Sequence, residues 1–235
     1  MEALKEISCT LLPGKYASGV AVPGLYNHVY RYWRQVWGEI FTRAGSPASL
    51  NVENFLRQNV IIALHREEDV IGIVCACFFN LSAESTFDHA YLKTFPDETV
   101  RILRDQGSGL YTTYEYISIR PGFRKSEIGI SLSDVLLGLC EKVFTFSDAK
   151  IALATAVRPA KIAEVLKIFG WIEVGSISKY GLDCVLLRST PQGRRDHEDH
   201  AVSSLIEHYW KNKTDLAGLA DQLEKTETNW VRRAA

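Results

Sequence analysis

Long apolar runs are missing from this chain. No stretch of about 18 apolar residues occurs, so no membrane-spanning helix is expected. An excess of charge of either sign is missing too: 27 Lys and Arg stand against 28 Asp and Glu, a formal charge of −1. Without a global basic field, nothing recommends nucleic acid as a partner. Cysteine is sparse, with five residues scattered at 9, 75, 77, 140 and 184. They form no Cys-x-x-Cys, and no His-x-x-x-His accompanies them, so no metal site is expected. Their number and spacing read as buried free thiols in a reducing compartment, with Cys75 and Cys77 on one face of a strand. The opening residues "MEALKEISCTLLPGKY" lack a basic region followed by an apolar one, so no signal peptide is expected and the cytoplasm is the expected location. No Gly-x-Ser-x-Gly occurs, which removes the usual setting of a serine nucleophile. No internal repeat is visible.

What is present is an ordinary globular composition. At 235 residues and 46% hydrophobic, the chain can bury a sizeable core as one generous domain, or one domain with an appendage. Residues 24–43 carry Leu25, Val29, Trp33, Val36, Trp37 and Ile40 at three- and four-residue steps, which predicts an amphipathic helix. Segments 59–66 and 69–81 predict two strands joined by a tight turn at Glu67-Glu68. A polar, helical stretch follows over 82–107. A third strand is expected over 112–120, and one helix from about Glu127 to Phe146. "KIALATAV" predicts a buried strand, "RPAKIAEVLKIFG" a helix with Pro159 in its first turn and Gly170 near its end, and two strands finish the unit. This order means a mixed α/β sheet with helices on both faces over residues 1–190. Residues 191–198 read as a polar linker. Residues 199–235 read as a C-terminal helical appendage, packed on the domain or contacting a partner or second copy.

The segment "YEYISIRPGFRKSEIGISL", 114–132, carries the chemistry. A strand that turns directly into a helix leaves backbone N–H groups unpaired at the helix start, and these attract anions. Arg124 and Lys125 add formal charge there, so the turn can cradle a phosphate. Read without that role, the same residues make a solvated turn with incidental cations. His65 and His89 stand alone and read as surface or capping residues.

The pattern Glu115-x-x-x-Ile119-x-Pro121-x-Phe123-Arg124-x-x-Glu127-Ile128-Gly129 resembles the central motif of the GNAT acyltransferase superfamily. "IALATAVRPAKIAEVLKIFGW" resembles that family's second block, with Trp171 in place of the usual Phe. The resemblance implies a GNAT-like mixed, mostly antiparallel, twisted sheet. It implies N-acyl transfer from acetyl-CoA or a longer acyl-CoA, without metal, to a small-molecule primary amine. It places Ile117, Ser118 and Ile119 at the oxyanion-binding strand and Phe123, Arg124, Lys125, Ser126, Glu127, Ile128 and Gly129 at the phosphate loop. Two departures stand out. Glu127 puts a carboxylate where the family has a loop glycine. Leu166 occupies the position where a tyrosine often serves as general acid.

"VYRYWRQVWGEIF" and the helical insertion containing "TFPDE" resemble a narrower branch, the autoinducer synthases and long-chain N-acyl amino acid synthases. That likeness implies acyl carrier protein as donor and partner. Its phosphopantetheine has one phosphodiester, which suits a loop carrying Glu127. The acceptor would then be an amino acid or similar amine. It also implies Glu115 as the base that frees the amine, and Arg31, Trp33, Arg34 and Trp37 of the first long helix on the acceptor side. Glu115 could instead pair with an arginine such as Arg31 or Arg34 and order the sheet. A third reading is a catalytically inactive GNAT-fold binding or scaffold domain, with Glu127 and Leu166 as the marks of lost chemistry.

Overall fold

A computed structural model describes residues 2–46, 50–106, 109–158 and 161–219. In chain order the elements are α1 (Glu2–Lys5), β1 (Ser8–Leu12), α2 (Gly24–Arg43), α3 (Glu53–Leu56), β2 (Val60–Arg66), β3 (Asp69–Asn80), α4 (Glu84–Asp88), a single 3₁₀ turn (Leu92–Thr94) and α5 (Asp97–Asp105). There follow β4 (Leu110–Ile119), α6 (Lys125–Ile128), α7 (Leu132–Phe146), β5 (Ile151–Val157), α8 (Lys161–Ile168), β6 (Ile172–Lys179), β7 (Leu182–Ser189), α9 (His200–Lys211) and β8 (Thr214–Asp215).

The strands form one sheet in the order β6-β7-β5-β4-β3-β2-β1-β8. Pairing is antiparallel except for β4 with β5 and β1 with β8. The two-residue alternation of strands decides which helices cover each face. Ile62, Leu64, Val74 and Ala76 point toward α7 and α9, joining Leu136, Leu139, Leu205 and Tyr209 in the larger core. Ile61, Ala63, Ile73 and Cys75 point the other way and pack under Val29 and Trp33 of α2. On that same side, Cys77, Phe79 and Tyr111 pack against Tyr91, Leu92 and Phe95 from the segment between β3 and β4. The mixed, mostly antiparallel sheet with helices on both faces therefore stands as expected.

Local chemistry moved some boundaries. One continuous helix was expected from Glu127 to Phe146, but two are found. Gly129 sits at φ 77°, a left-handed position that ends α6, and Ser131 then caps α7 by accepting the Asp134 amide. The polar stretch 82–107 breaks into α4, the 3₁₀ turn and α5, with Pro96 immediately before α5. β1 and β8 carried no expectation. The final stretch 199–235 is described only to residue 219. There α9 packs on α7, and the Tyr209 hydroxyl donates to the Leu4 carbonyl. Residues 220–235 lie outside the described residues.

Candidate active site

The site begins with a fault in the sheet. β4 pairs with β5 only from Tyr111↔Ile151 to Tyr114↔Ala154. On its other edge, its register with β3 shifts between Cys75↔Glu115 and Ile73↔Ser118. Tyr116 lies in that shift with φ 57°, a left-handed conformation that is unusual for a bulky aromatic residue. The bulge bends β4 away from β5. From Glu115 onward, the β4 backbone groups that face away from β3 lie outside the β5 ladder. One of them, the Tyr116 carbonyl, accepts from the Trp37 indole N–H at 3.3 Å. Trp37 also sets its ring edge-on to Tyr116, with centroids 5.1 Å apart, and Trp33 does the same at 5.5 Å. The aromatic stripe of α2 thus holds the bulge in place.

A cleft of about 260 Å³ opens where the strands separate. Trp37, Ile40 and Phe41 of α2, Tyr116 and Ile117 of β4, and Tyr180 and Leu182 beside the β6–β7 turn give it largely apolar walls. Glu115, Thr155 and Lys179 supply its polar end. The Glu115 carboxylate is buried and doubly held. Arg57 pairs with Oε2, and the Thr113 hydroxyl donates to Oε1 at 2.7 Å. A carboxylate oxygen can accept more than one hydrogen bond, so Glu115 keeps acceptor capacity toward the cleft. Its partner is Arg57, just past α3, and not Arg31 or Arg34, which are exposed on α2.

Lys179 ends β6 and is also buried. Its Nζ lies 3.8 Å from the centre of the Tyr91 ring and donates to Thr155 Oγ1 at 3.2 Å. Arg57 stacks over the same Tyr91 ring at 5.1 Å. Burial drives the Lys179 ammonium down to about 8 from its ordinary value near 10.5, partly opposed by the charge of Glu115. The Tyr180 hydroxyl hydrogen-bonds that of Tyr116 at 3.0 Å, and burial raises both phenols.

The expected donor loop has a definite geometry. The Glu127 carboxylate turns back and accepts from the amides of Gly122, at 2.9 Å, and Arg124, at 3.0 Å. Arg124, Lys125 and Ser126 are exposed. Phe123 is half-buried, with the Arg66 guanidinium 5.9 Å from its ring centre. Ile117, Ser118 and Ile119 follow the bulge on β4, while Ile128 and Gly129 close α6. Of the four residues expected on the acceptor side, Trp37 lines the cleft, Trp33 is in the core beneath Tyr116, and Arg31 and Arg34 face solvent. Leu166 is buried against the α7 side of the sheet, far from any role as an acid. His65 and His89 are held in local hydrogen bonds, His65 with Thr10 and the Glu67 carbonyl, His89 with the Tyr91 amide. Among the described residues, no group of three His, Cys, Asp or Glu could hold a metal ion, and all five thiols are buried.

Arg57, Tyr91, Lys179 and Tyr180 are the members of the site that sequence reasoning missed. No local pattern joins Arg57 to a carboxylate 58 residues later. Lys179 precedes Tyr180-Gly181 in a hairpin, where a lysine ordinarily points into water.

No protein-family model and no curated protein sequence matches the chain. Its architecture does match solved structures. FeeM, an N-acyl amino acid synthase from uncultured soil microbes, superposes with a TM-score of 0.54 at 9% identity, over 78% of this chain and 91% of its own. BjaI, a CoA-dependent acyl-homoserine lactone synthase, gives 0.56 at 6% identity over 92% and 98%. An agmatine N-acetyltransferase gives 0.54 at 10% identity over 78% and 99%. At such identities the likeness establishes the fold alone, one shared with an N-acyl amino acid synthase, an acyl-homoserine lactone synthase and an N-acetyltransferase.

Proposed function

We propose that this chain is an N-acyltransferase that moves an acyl group from a phosphopantetheine thioester to a primary amine. The observation that supports this reading is the parting of β4 from β5 at Tyr116, which opens an apolar cleft with a buried, paired carboxylate on its wall. An extended thioester arm can complete the interrupted ladder. Its carbonyl then meets the unpaired β4 backbone near Ile117–Ile119, where an N–H can stabilise the tetrahedral oxyanion. An amine attacks only when neutral, and Glu115 accepts its proton directly or through a water. Leu166 cannot protonate the departing thiolate. Tyr180 lines the cleft and keeps its proton under burial, so it is the hydroxyl suited to that step.

Glu127 bears on the donor. Two loop amides that would face a diphosphate are occupied by this carboxylate. Like charges about 4 Å apart repel by several kcal/mol at an intermediate dielectric. A carrier-protein phosphopantetheine, with a single phosphodiester, suits the loop better than coenzyme A. BjaI, a CoA-dependent synthase, makes acyl-CoA the competing donor to be tested.

The test is direct. The full chain is incubated with a mixture of primary amines and either an acyl carrier protein thioester or the matching acyl-CoA, and amide products are read by mass. The carrier thioester should be used with a kcat/KM at least about ten-fold higher, the factor that 1.4 kcal/mol of differential binding yields. Amide from acyl-CoA alone would overturn the donor assignment, and no amide from either would overturn the reaction.

A further inference from the structure

The polar end of the cleft holds an unbalanced set of charges. Glu115 and Lys179 line it, and Arg57, which is not part of the lining, already engages Glu115, so two cations stand against one carboxylate. Lys179 is left with a hydroxyl and the rings of Tyr91 and Tyr180, none of them charged. Among the described residues no carboxylate lies within ion-pair distance of its Nζ. A cation over an aromatic face recovers only part of the hydration lost on burial. For packing alone, a neutral side chain of the same length would serve better. Lys179 is also one of the residues that line the cleft, and so is Thr155, to which its Nζ donates.

We propose that Lys179 binds a carboxylate carried by the acceptor, which makes the acceptor an amino acid and not a simple amine. The inference rests on the acyl-transfer reading for the word acceptor, but its binding step does not. The layout suits a molecule with both groups on one carbon. Glu115 on β4 faces the amine, Lys179 on β6 takes the carboxylate, and Thr155 on the intervening β5 steadies the ammonium. The remainder of the acceptor meets the aromatic wall formed by Trp37, Phe41 and Tyr180. A carboxylate there gives Lys179 a counter-ion in direct contact, where Glu115 acts on it only from beyond ion-pair distance. An amine without one leaves the ammonium buried and unpaired, and such a site discriminates strongly against the analogue that lacks the group.

Two measurements on the full chain test this. In the first, protein labelled with ¹³C at lysine Cε is titrated with L-phenylalanine or with phenethylamine, a pair matched to the aromatic wall and differing only in the carboxylate. The Lys179 resonance is assigned by its loss in Lys179→Met. Phenylalanine should move it saturably, and phenethylamine at equal concentration should not. If neither moves it, or both do equally, the proposal fails whatever the turnover. In the second, kcat/KM is measured for both acceptors with the better thioester donor. Wild type should favour phenylalanine by about 10²-fold, as expected for loss of a charge-assisted hydrogen bond. Lys179→Met should lower kcat/KM for phenylalanine at least about ten-fold more than for phenethylamine, chiefly through KM. Equal losses on both acceptors would place Lys179 on the thioester side and overturn the proposal. A saturable Lys179 shift with phenylalanine, but no amide from any thioester, would uphold the carboxylate site and sink acyl transfer.

Discussion

Glu127 holds the Gly122 amide at 2.9 Å, so the turn after β4 carries its own anion. The same oxygen takes the Arg124 amide, and the two contacts cap the start of α6. A loop of this shape is built to receive negative charge, and here one resident charge already satisfies part of it.

Replacing that carboxylate should therefore change donor preference. Glu127→Gly frees both amides and removes the repulsion, and KM for acyl-CoA should fall about ten-fold or more, since hydrogen bonds to a charged group contribute about 1.5–3 kcal/mol each. Glu127→Gln removes the charge but keeps an acceptor on the amides, so its KM should fall between wild type and Glu127→Gly. The lost cap should lower stability by about 1 kcal/mol in the glycine variant. Steady-state kinetics with both donors, beside urea unfolding, separates the effects. An unchanged acyl-CoA KM in Glu127→Gly would mean that the phosphates bind elsewhere.

Glu115 and Arg57 permit a second prediction, in which catalysis and stability part company. Glu115→Gln leaves Arg57 an acceptor, so the fold should hold while turnover drops about 10²-fold or more, the usual contribution of a positioned base. Arg57→Met strands a carboxylate whose side chain is only 3% exposed, and should destabilise the protein by about 3–5 kcal/mol. Combining the two should restore most of that stability and none of the activity. Unfolding midpoints and initial rates on the three variants decide the matter. Full activity of Glu115→Gln across the pH range would end its assignment as base.

The fold was legible where periodicity is strong. α2, β2, β3, β4 and β5 lie within about two residues of where hydrophobic spacing put them, because each buries a regular stripe or alternation. β1 has only five residues and β8 two, too short for a pattern to rise above its surroundings. The site was legible in part, for a related reason. Glu115 stands out because an acid in an alternating apolar strand contradicts its setting. Arg57 and Lys179 contradict nothing locally, lying just past a four-residue helix and before a turn. Both meet the ring of Tyr91, delivered by the segment between β3 and β4, and no window of sequence contains that meeting. Glu127 was visible as a residue out of place, but its inward hydrogen bonds depend on a left-handed Gly129 and a helix of one turn.

The far side of the sheet supplies a prediction about pH. Glu141 on α7 is buried, accepts from the Trp171 indole at 2.8 Å and the Tyr114 hydroxyl at 3.3 Å, and has the Arg194 Nε at 3.4 Å from its other oxygen. Burial outweighs these partners and pushes the carboxyl up to about 7, against an ordinary 4.5. Below 4.5 the group is protonated in folded and unfolded chains alike and has no effect on stability. Between 4.5 and 7 the unfolded chain releases the proton while the folded chain keeps it, so stability falls as pH rises through this window. Above 7 the loss is complete, at about 3 kcal/mol from the size of the shift. Glu141→Gln retains an oxygen for Trp171 and Tyr114 but cannot ionise. Its urea unfolding free energy should match wild type near pH 4.5 and exceed it by up to about 3 kcal/mol at pH 8. A variant less stable than wild type at pH 8 would mean that the Arg194 charge outweighs burial at this position.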